Sequence, residues 1–318
     1  MDYLIIDSVL IGYLIINSQE NLRDIEYIGN SKIYKSFIRE FINTMSYLKN
    51  KFGGEIVLLF DNYESREQIN QLLRPLDEHQ NRKKVNPRYK AQRRSEKSIF
   101  YDSLDKIQYY YRVASAEYHT ARIINLEADD LVKPCISYLR GKSNNCKILL
   151  VTNDSDWCRY IDANTLWLPE LYKEPKGINE FYSKFGFNPT EESIILNKIM
   201  FGDNADNIQC VFPEIPSEIR KFIVETFPSI ADFMLTLKQY PETSEFSFLV
   251  KEKEIEIKSA YQMLATIPVT EEHFRAVYTT GRNSEMIQKN LNSIIFKEEK
   301  ENGFTFGDIS IPRYSPKN

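Results

Sequence analysis

Apolar and polar positions divide the first part of the chain into short apolar runs and longer segments with helical spacing. Strand-like runs occupy residues 3–6, 55–60, 121–125 and 147–152, and residues 165–168 are expected to add an edge strand. Helical periodicity covers residues 32–51, 95–116 and 128–139. Because strands and helices alternate, the chain is predicted to form an α/β domain around a mainly parallel sheet.

The pattern changes after about residue 189, where helical spacing predominates. Helices are predicted over residues 191–200, 217–226, 230–238, 257–264 and 285–292. Turns are expected at Pro213, Pro216, Pro228 and Pro241. We therefore predict an α/β domain over residues 1–190 and a mostly helical region over residues 191–318 that ends in a loosely held tail.

Carboxylates follow the predicted strands. Asp7 comes after the first strand, Asp61 after the run EIVLLF and Asp154 after KILLVTN. Open α/β sheets bind ligands outside the carboxyl ends of their strands. The remaining clustered acids are Glu127, Asp129, Asp130, Asp156, Asp203 and Asp206. Because carboxylates brought together repel and are costly to desolvate without a cation, the pattern predicts a site for a hard metal ion.

Most of these acids also have an alternative, structural explanation. Asp7 and Asp61 can cap the ends of strands, and carboxylates at the start of a helix favour its dipole, so a mainly structural role for one of Asp129 and Asp130 is an alternative to metal binding. Asp156 can cap a helix that begins near Trp157, and the acids of GDNADN can shape a turn.

A basic segment, NRKKVNPRYKAQRR, lies between Asp61 and Glu127 and contains no acid. Its cations are Arg82, Lys83, Lys84, Arg88, Lys90, Arg93 and Arg94, with Tyr89 among them. A solvated loop is the ordinary explanation for such a run. Beside an acidic metal site, binding of phosphate groups becomes the better interpretation.

Composition adds limits to this picture. The 318 residues are 42% hydrophobic and 27% charged, which is typical of a folded protein, and the formal net charge of -4 argues against a uniformly basic nucleic-acid binder. Four cysteines form no CxxC pair and are expected to be buried free thiols in a reducing cytoplasm. The apolar start of the chain contains Asp7 and no early Lys or Arg, which argues against a signal peptide, and no segment is predicted to span a membrane.

Six motifs carry a resemblance to a known family. They are YLIID, VLLFDN, RYKAQR, EADDL, VTNDSDW and GDNADNI, and they span about two thirds of the chain. In this order and rough spacing they resemble the 5′ nuclease family, which includes flap endonucleases, the 5′ nuclease domain of bacterial DNA polymerase I, and phage 5′ exonucleases and ribonuclease H. The resemblance implies a PIN-like α/β fold, two divalent ions and cleavage of DNA or RNA–DNA strands near a free 5′ end.

The resemblance also assigns roles to the acids. It implies one ion near Asp7, Asp61, Asp129 and Asp154, with Glu127 and Asp130 in or behind that shell, and a second near Asp154, Asp156, Asp203 and Asp206. Mg²⁺ is the expected metal, and Mn²⁺ is expected to substitute for it. Two such ions can activate a water and stabilise both the attacking and the leaving oxygen of a phosphodiester.

Further roles follow for the basic segment. Lys90 and Arg93 match the family's YKxxR positions, which resemble the base of an arch or clamp that would cover residues 62–98. There the two cations are expected to contact the scissile phosphate, and Tyr89 is expected to stack on a terminal base. The alternative to these roles is an exposed basic helix with a core-facing Tyr. Residues 62–98 are compatible both with an arch that the strand threads through and with an open clamp.

One departure concerns duplex binding. The family's helix-three-turn-helix usually has a glycine-rich hairpin, but this chain has QCVFPEIPSEIRKF, in which Pro213 and Pro216 lack the backbone donor. A divergent motif is therefore expected, in which Arg220 and Lys221 contact DNA. The missing glycines argue against duplex binding through a monovalent ion at this motif. Some phage members resemble this chain in lacking the glycines, which suggests a phage origin and the host cytoplasm as the location.

Together these features predict a metal-dependent 5′-3′ exonuclease and flap endonuclease that removes RNA primers during replication. The alternatives are a PIN-domain ribonuclease acting on single-stranded RNA and a noncatalytic DNA-binding relative. Expected partners are DNA with 5′ ends or flaps, RNA–DNA hybrids, and a sliding clamp or single-strand-binding protein. The tail around Phe304 and Phe306 is either a tether for such a partner or an ordinary tail. A monomer is expected.

Overall fold

The computed structural model describes residues 1–28, 31–61, 99–114, 118–123, 126–204, 206–238, 249, 251–266 and 269–280. The predicted arch or clamp, the basic segment, the predicted helix over residues 285–292 and the C-terminal tail lie outside these residues. Within the described ranges the model shows an α/β fold, as predicted from the alternation of strands and helices.

The strands are β1 (Tyr3–Asp7), β2 (Ile25–Ile28), β3 (Ser31–Tyr34), β4 (Glu55–Phe60), β5 (Tyr118–Arg122), β6 (Ile148–Val151), β7 (Thr165–Leu168) and β8 (Thr279–Thr280). The main sheet has the order β7-β6-β1-β4-β5-β8. Its first five strands are parallel, and β8 pairs antiparallel with β5 at one edge. Strands β2 and β3 form a separate antiparallel ribbon. The predicted parallel sheet is confirmed.

The helices are α1 (Ser8–Ile16), α2 (Lys35–Phe52), α3 (Ile99–Ala114), α4 (Ala128–Lys142), α5 (Ile178–Phe185), α6 (Glu191–Phe201), α7 (Ser217–Thr226), α8 (Ile230–Lys238), α9 (Glu254–Leu264) and α10 (Glu271–Val277). Short 3-10 helices cover Glu20–Arg23 and Ser155–Tyr160. No described helix has the length and the apolar character that crossing a lipid bilayer requires.

Two hydrophobic layers cover the sheet, because successive side chains of a strand point to opposite faces. Leu4 and Ile6 of β1 pack in one layer with residues of α1, α2 and α3. Ile5 of the same strand packs in the other layer with residues of α4 and with Phe274 of α10. Both faces are therefore buried, which explains why the parallel strands appear in the sequence as continuous apolar runs.

A third hydrophobic cluster joins the later helices. It extends from Cys158 and Trp167 through Phe181 to residues of α6, α7, α8 and α9. Helix α10 and strand β8 then return to the first unit, where Phe274 is fully buried. The predicted boundary at residue 190 stays a prediction, and so does the helix-three-turn-helix, although α6 and α7 do flank the loop of residues 202–216.

Several predicted boundaries were wrong. The helix predicted from residue 32 begins at Lys35, because residues 31–34 pair with β2. Asp24 fixes this start, since its carboxylate accepts hydrogen bonds from the Ser36 backbone N–H and hydroxyl, both at 2.9 Å. The strand predicted from residue 121 begins at Tyr118. There the buried His119 is tolerated because its Nε2 lies 2.6 Å from Oε2 of Glu55.

The topology points to a ligand site. From β1 the chain builds β4 and β5 on one side of the sheet and then crosses back to build β6 and β7 on the other. Such reversals create a crevice at the carboxyl ends of the strands. Asp7 ends β1, Asp61 follows β4 and Asp154 follows β6, so the fold brings the three predicted acids to this edge.

Candidate metal and nucleic-acid site

Asp7 lies at the junction of β1 and α1 and is buried. Its Oδ1 accepts a hydrogen bond from the Leu10 backbone N–H at 3.0 Å, so the residue caps α1. Its Oδ2 accepts from the Thr152 hydroxyl at 3.1 Å, which links β1 to the end of β6. Both carboxylate oxygens are thus held in a fixed orientation at the floor of the crevice.

The pKa of Asp7 shows that other carboxylates crowd it. Burial raises this pKa well above its usual range, and the charges of Asp61 and Asp129 raise it further. The Leu10 N–H opposes the shift, and Asp154 adds to it. Four of the predicted metal-binding acids therefore act on one another electrostatically, as expected for a site whose charge a cation neutralises.

Asp61 is held by the neighbouring helix and strand. Its Oδ1 accepts a hydrogen bond from the Ala128 backbone N–H at 2.7 Å, at the start of α4. Its backbone carbonyl accepts from Nε of Arg122 at 3.1 Å, and Arg122 is anchored in turn by Asp105 of α3 at 2.5 Å. Arg122 is thus a positioning residue for Asp61 that sequence reasoning missed.

The acids of EADDL divide into two roles. Asp130 is buried, and its Oδ2 accepts from the Glu127 backbone N–H at 3.3 Å, so it stabilises the start of α4. Asp129 instead accepts a hydrogen bond from the indole N–H of the fully buried Trp157 at 2.6 Å. The structural alternative for one of the two aspartates therefore describes Asp130, while Asp129 faces the other acids. Glu127 is buried beside them.

Asp154 and Asp156 lie on the turn that follows β6. The Thr152 hydroxyl accepts from the Asp154 N–H at 3.0 Å, and Oδ1 of Asp154 accepts from the Asp156 N–H at 2.8 Å. Asp154, and not Asp156, therefore caps the helix that contains Trp157, which corrects that expectation. Burial, followed by the charges of Asp156 and Asp129, raises the pKa of Asp154 to about 8, against the opposing effects of Lys198 and a backbone N–H.

A buried lysine connects the turn after β6 to the loop after α6. The ammonium of Lys198 lies 2.6 Å from Oδ2 of Asp156 and 2.5 Å from Oδ2 of Asp203. Burial lowers the pKa of Lys198, but the neighbouring aspartates outweigh it, so the pKa is raised above its ordinary value. Arg159 adds a second cation, because Nη2 lies 3.5 Å from Oδ2 of Asp156.

The loop with the sequence GDNADN has a fixed shape. Gly202 adopts φ +78°, and a Cβ on it would lie 2.8 Å from the Cys210 backbone nitrogen. Asp203 and Ile208 exchange backbone hydrogen bonds of 2.7 and 2.8 Å across the loop. The Asp206 N–H donates to Oδ1 of Asp203 at 3.4 Å, so the two predicted ligands lie side by side.

The carboxylate oxygens of this site are suitable ligands for a divalent cation. Among the residues that the structure describes, no three acidic, histidine or cysteine side chains already form a group that could hold a metal. The buried Oδ1 of Asp156, however, has no hydrogen-bond partner in this part of the chain. A buried carboxylate oxygen without a donor is costly, and a hard cation is the partner that oxygen ligands of this kind accept.

Arg220 and Lys221 occupy α7 and differ in exposure. Nη1 of Arg220 donates to the Met200 carbonyl at 2.8 Å and to Sγ of Cys210 at 2.9 Å, and its guanidinium lies 5.0 Å from the centre of the Phe201 ring. Arg220 thus fixes the loop of residues 202–210 against α7. The side chain of Lys221 is largely exposed. Contacts of the two residues with DNA stay predictions.

The other predicted nucleic-acid contacts and the two predicted catalytic cations lie outside the described residues. They are Arg82, Lys83, Lys84, Arg88, Tyr89, Lys90, Arg93 and Arg94. Sequence reasoning also missed Thr152 and Lys198. Thr152 lies within the motif VTNDSDW. Lys198 lies five positions before Asp203, in a helix that is apolar at residues 194–196 and 199–201.

Comparison with known proteins agrees with this fold. Residues 29–186 match the family model described as the 5′-3′ exonuclease, N-terminal resolvase-like domain. No relative among the curated proteins matches the chain. A bacteriophage T5 5′-exonuclease with bound zinc ions aligns with 93% of this chain and 99% of its own, at a TM-score of 0.60 and 16% identity.

A second T5 structure is a flap endonuclease variant in a pseudo-enzyme-product complex with DNA and metal ions. It aligns with 94% of this chain and 100% of its own, at a TM-score of 0.59 and 16% identity. At these identities the likeness establishes a shared fold. The predicted resemblance to the 5′ nuclease family is confirmed, because residues 29–186 match a 5′-3′ exonuclease family model.

Proposed function

We propose that this protein is a metal-dependent 5′ nuclease that hydrolyses phosphodiester bonds of DNA, as a 5′-3′ exonuclease and a flap endonuclease. The observation that carries the proposal is the crowding of Asp61, Asp129 and Asp154 around the buried Asp7, at the reversal point of a resolvase-like sheet. The T5 structures of similar fold, which contain DNA or divalent metals, support the same assignment.

The acids would hold two Mg²⁺ ions. Asp7, Asp61, Asp129 and Asp154 would hold the first, with Glu127 and Asp130 beside it, and Asp154, Asp156, Asp203 and Asp206 would hold the second. When bound, these ions would supply an activated water and would stabilise the attacking and leaving oxygens of the phosphodiester. Mn²⁺ would substitute, because it accepts the same oxygen ligands.

The chain's own residues hold this ligand set in position. The Leu10 N–H and the Thr152 hydroxyl orient the two oxygens of Asp7, and the Trp157 indole orients Asp129. Arg122 holds the backbone at Asp61. These hydrogen bonds restrict the side chains before a ligand arrives, and such restriction lowers the cost of binding a cation and a charged substrate.

The basic segment would bind the nucleic acid. Arg82, Lys83, Lys84, Arg88 and Arg94 would contact phosphates, Tyr89 would stack on a base, and Lys90 and Arg93 would contact the scissile phosphate. Arg220 and Lys221 of α7 would contact the duplex, with most of this role falling to the exposed Lys221. The phosphate contacts would position the strand without reading its sequence.

The substrates would be DNA with 5′ ends or flaps and RNA–DNA hybrids. We propose that the protein acts as a monomer in the removal of RNA primers, in the cytoplasm of a phage-infected host, and that it contacts a sliding clamp or a single-strand-binding protein. The net charge of -4 makes a localised basic surface necessary for binding such substrates.

A panel of 5′-labelled substrates tests the proposal. Flap, nicked duplex, RNA-primed duplex, single-stranded DNA and single-stranded RNA are incubated with the protein, in Mg²⁺ and in EDTA. We expect Mg²⁺-dependent cleavage of the flap and of duplexes with a 5′ end. Cleavage restricted to single-stranded RNA would identify a ribonuclease instead, and binding of the flap without cleavage would identify a noncatalytic relative.

A further inference from the structure

The position of Lys198 is unusual for a lysine because its charged end is buried. Its side chain is 11% exposed, and its ammonium lies within 2.6 Å of one oxygen on each of Asp156 and Asp203. Both aspartates belong to the set proposed above for the second divalent ion. A cation of the protein itself therefore lies between two of the oxygens that an Mg²⁺ ion would use.

The fold gives Lys198 little freedom to lie elsewhere. It projects from α6, whose residues Ile195, Ile199 and Met200 are fully buried in the core of the helical region. The helix therefore holds the lysine backbone rigidly opposite the turn that carries Asp156. The ion pairs are shielded from water, so breaking them costs more than breaking an ion pair on the surface.

We propose that Lys198 is a built-in counter-cation of the second divalent site, which links Asp156 to Asp203 in the metal-free protein and competes with the incoming metal ion. This inference rests on the proposed function. A divalent ion at this site would have to displace the ammonium, whereas no lysine or arginine of the described residues pairs with the carboxylate of Asp7, which accepts hydrogen bonds from Leu10 and Thr152. The ion near Asp7 would consequently bind first and more tightly.

The unpartnered Oδ1 of Asp156 supports the displacement of Lys198 by a metal ion. Lys198 and Arg159 both contact Oδ2 of Asp156, and in the described part of the chain no donor reaches Oδ1. Lys198 and Arg159 together therefore offset the charges of the two aspartates without satisfying every carboxylate oxygen. A metal ion that binds both carboxylates would give a partner to more of their oxygens. This gain opposes the cost of displacing the ammonium.

Titration of the whole chain with Mn²⁺ tests the proposal, with bound and free ion followed by calorimetry and by electron paramagnetic resonance. Lys198→Met keeps an unbranched side chain only one heavy atom shorter and removes its charge, and Lys198→Gln is a second, polar replacement. Lys258→Met is the matched control, because Lys258 also lies on a helix and pairs with Glu254, at 2.7 Å, but is exposed.

We expect both Lys198 variants to bind the second Mn²⁺ about tenfold more tightly or better, with the first site and the control nearly unchanged. Two-site binding with an unchanged or weaker second site in the Lys198 variants would overturn the counter-cation role alone. If the wild-type protein binds no Mn²⁺, the proposed function fails as well, so the two failures are distinguishable.

A measurement on the wild-type chain covers the case in which the variants do not fold. Acetic anhydride modifies free amines, and peptide mass spectrometry reports the modification of each lysine. We expect saturating Mn²⁺ to increase the labelling of Lys198 severalfold, because the displaced ammonium becomes accessible, while the exposed Lys258 is labelled equally with and without metal. Unchanged or reduced labelling of Lys198 in Mn²⁺ would contradict displacement.

Discussion

Replacing Asp154 by Asn should stabilise the metal-free protein at alkaline pH. The pKa of this carboxyl is about 8 in the folded chain, against an ordinary value of 3.8, because burial and the charges of Asp156 and Asp129 disfavour ionisation. The folded state therefore keeps a proton that the unfolded state releases. Stability is full below the unfolded pKa and falls as the pH rises from about 4 to about 8. Asn carries no charge and can still accept the hydrogen bond from the Asp156 N–H.

The size of the effect follows from the pKa difference. Each pKa unit corresponds to about 1.4 kcal/mol. If Asp154 were fully shielded from water, the wild-type protein would therefore lose about 4 kcal/mol of its free energy of unfolding between pH 5 and pH 8. Because Asp154 is only half-buried in the crevice, screening by solvent reduces this figure, and we expect the advantage of Asp154→Asn to grow by about 2 kcal/mol or more over this range.

Urea denaturation in EDTA at pH 5 and pH 8 measures this difference. Asp162→Asn is the control with the opposite sign, since the Asn164 N–H and Arg140 outweigh burial and lower the pKa of Asp162. A depressed pKa contributes stability that is already present at pH 5, above the ordinary value of 3.8, so Asp162→Asn should be less stable than wild type by a similar amount at pH 5 and pH 8. Equal stability of wild type and Asp154→Asn at both pH values would refute the crowding of carboxylates on which the metal site rests.

Three further predictions address the basic segment and the shape of the acidic loop. Replacing residues 82–84 together by Ala should weaken DNA binding for all sequences and flatten its salt dependence, measured by fluorescence anisotropy, and an unchanged slope would show a solvated face. Lys90→Ala and Arg93→Ala should each lower the single-turnover cleavage rate by about two orders of magnitude with a smaller change in affinity, and normal rates at saturating substrate would exclude their contact with the scissile phosphate. Gly202→Ala should destabilise the protein by roughly 1–3 kcal/mol in urea denaturation, because its φ is +78° and its Cβ would contact backbone, whereas Gly141→Ala, with open space around it, should be neutral or slightly stabilising. Tolerance of Ala at position 202 would contradict the proposed constraint on the loop.

The sheet and its acids could be predicted because local patterns determine them. Apolar runs bounded by polar residues gave the parallel strands, and the acids that follow them lie at one edge for geometric reasons. The antiparallel ribbon of β2 and β3 was missed because residues 32–34 continue the apolar spacing of α2. Only pairing with Ile25–Ile28, which depends on tertiary structure, makes this segment a strand.

Other features of the site depend on contacts between distant parts of the chain. Lys198 lies 42 residues from Asp156, and Thr152 lies 145 residues from Asp7, so no sequence spacing indicates either contact. The start of β5 was misplaced because His119 is polar, and its burial depends on the distant Glu55. Asp154 and Asp156 were both recognised as acids, but the local backbone decides which of them caps the helix.

The most direct test of the central claim is cleavage of a 5′-labelled flap by wild type and Asp154→Ala in Mg²⁺. Asp154 is the acid that the proposal assigns to both ions, so its removal should abolish cleavage while binding of the flap, measured in Ca²⁺, stays largely intact. Lys258→Met, a change at an exposed position of α9, should cleave as wild type does. Normal turnover by Asp154→Ala would contradict the assignment of the acidic crevice as the catalytic metal site.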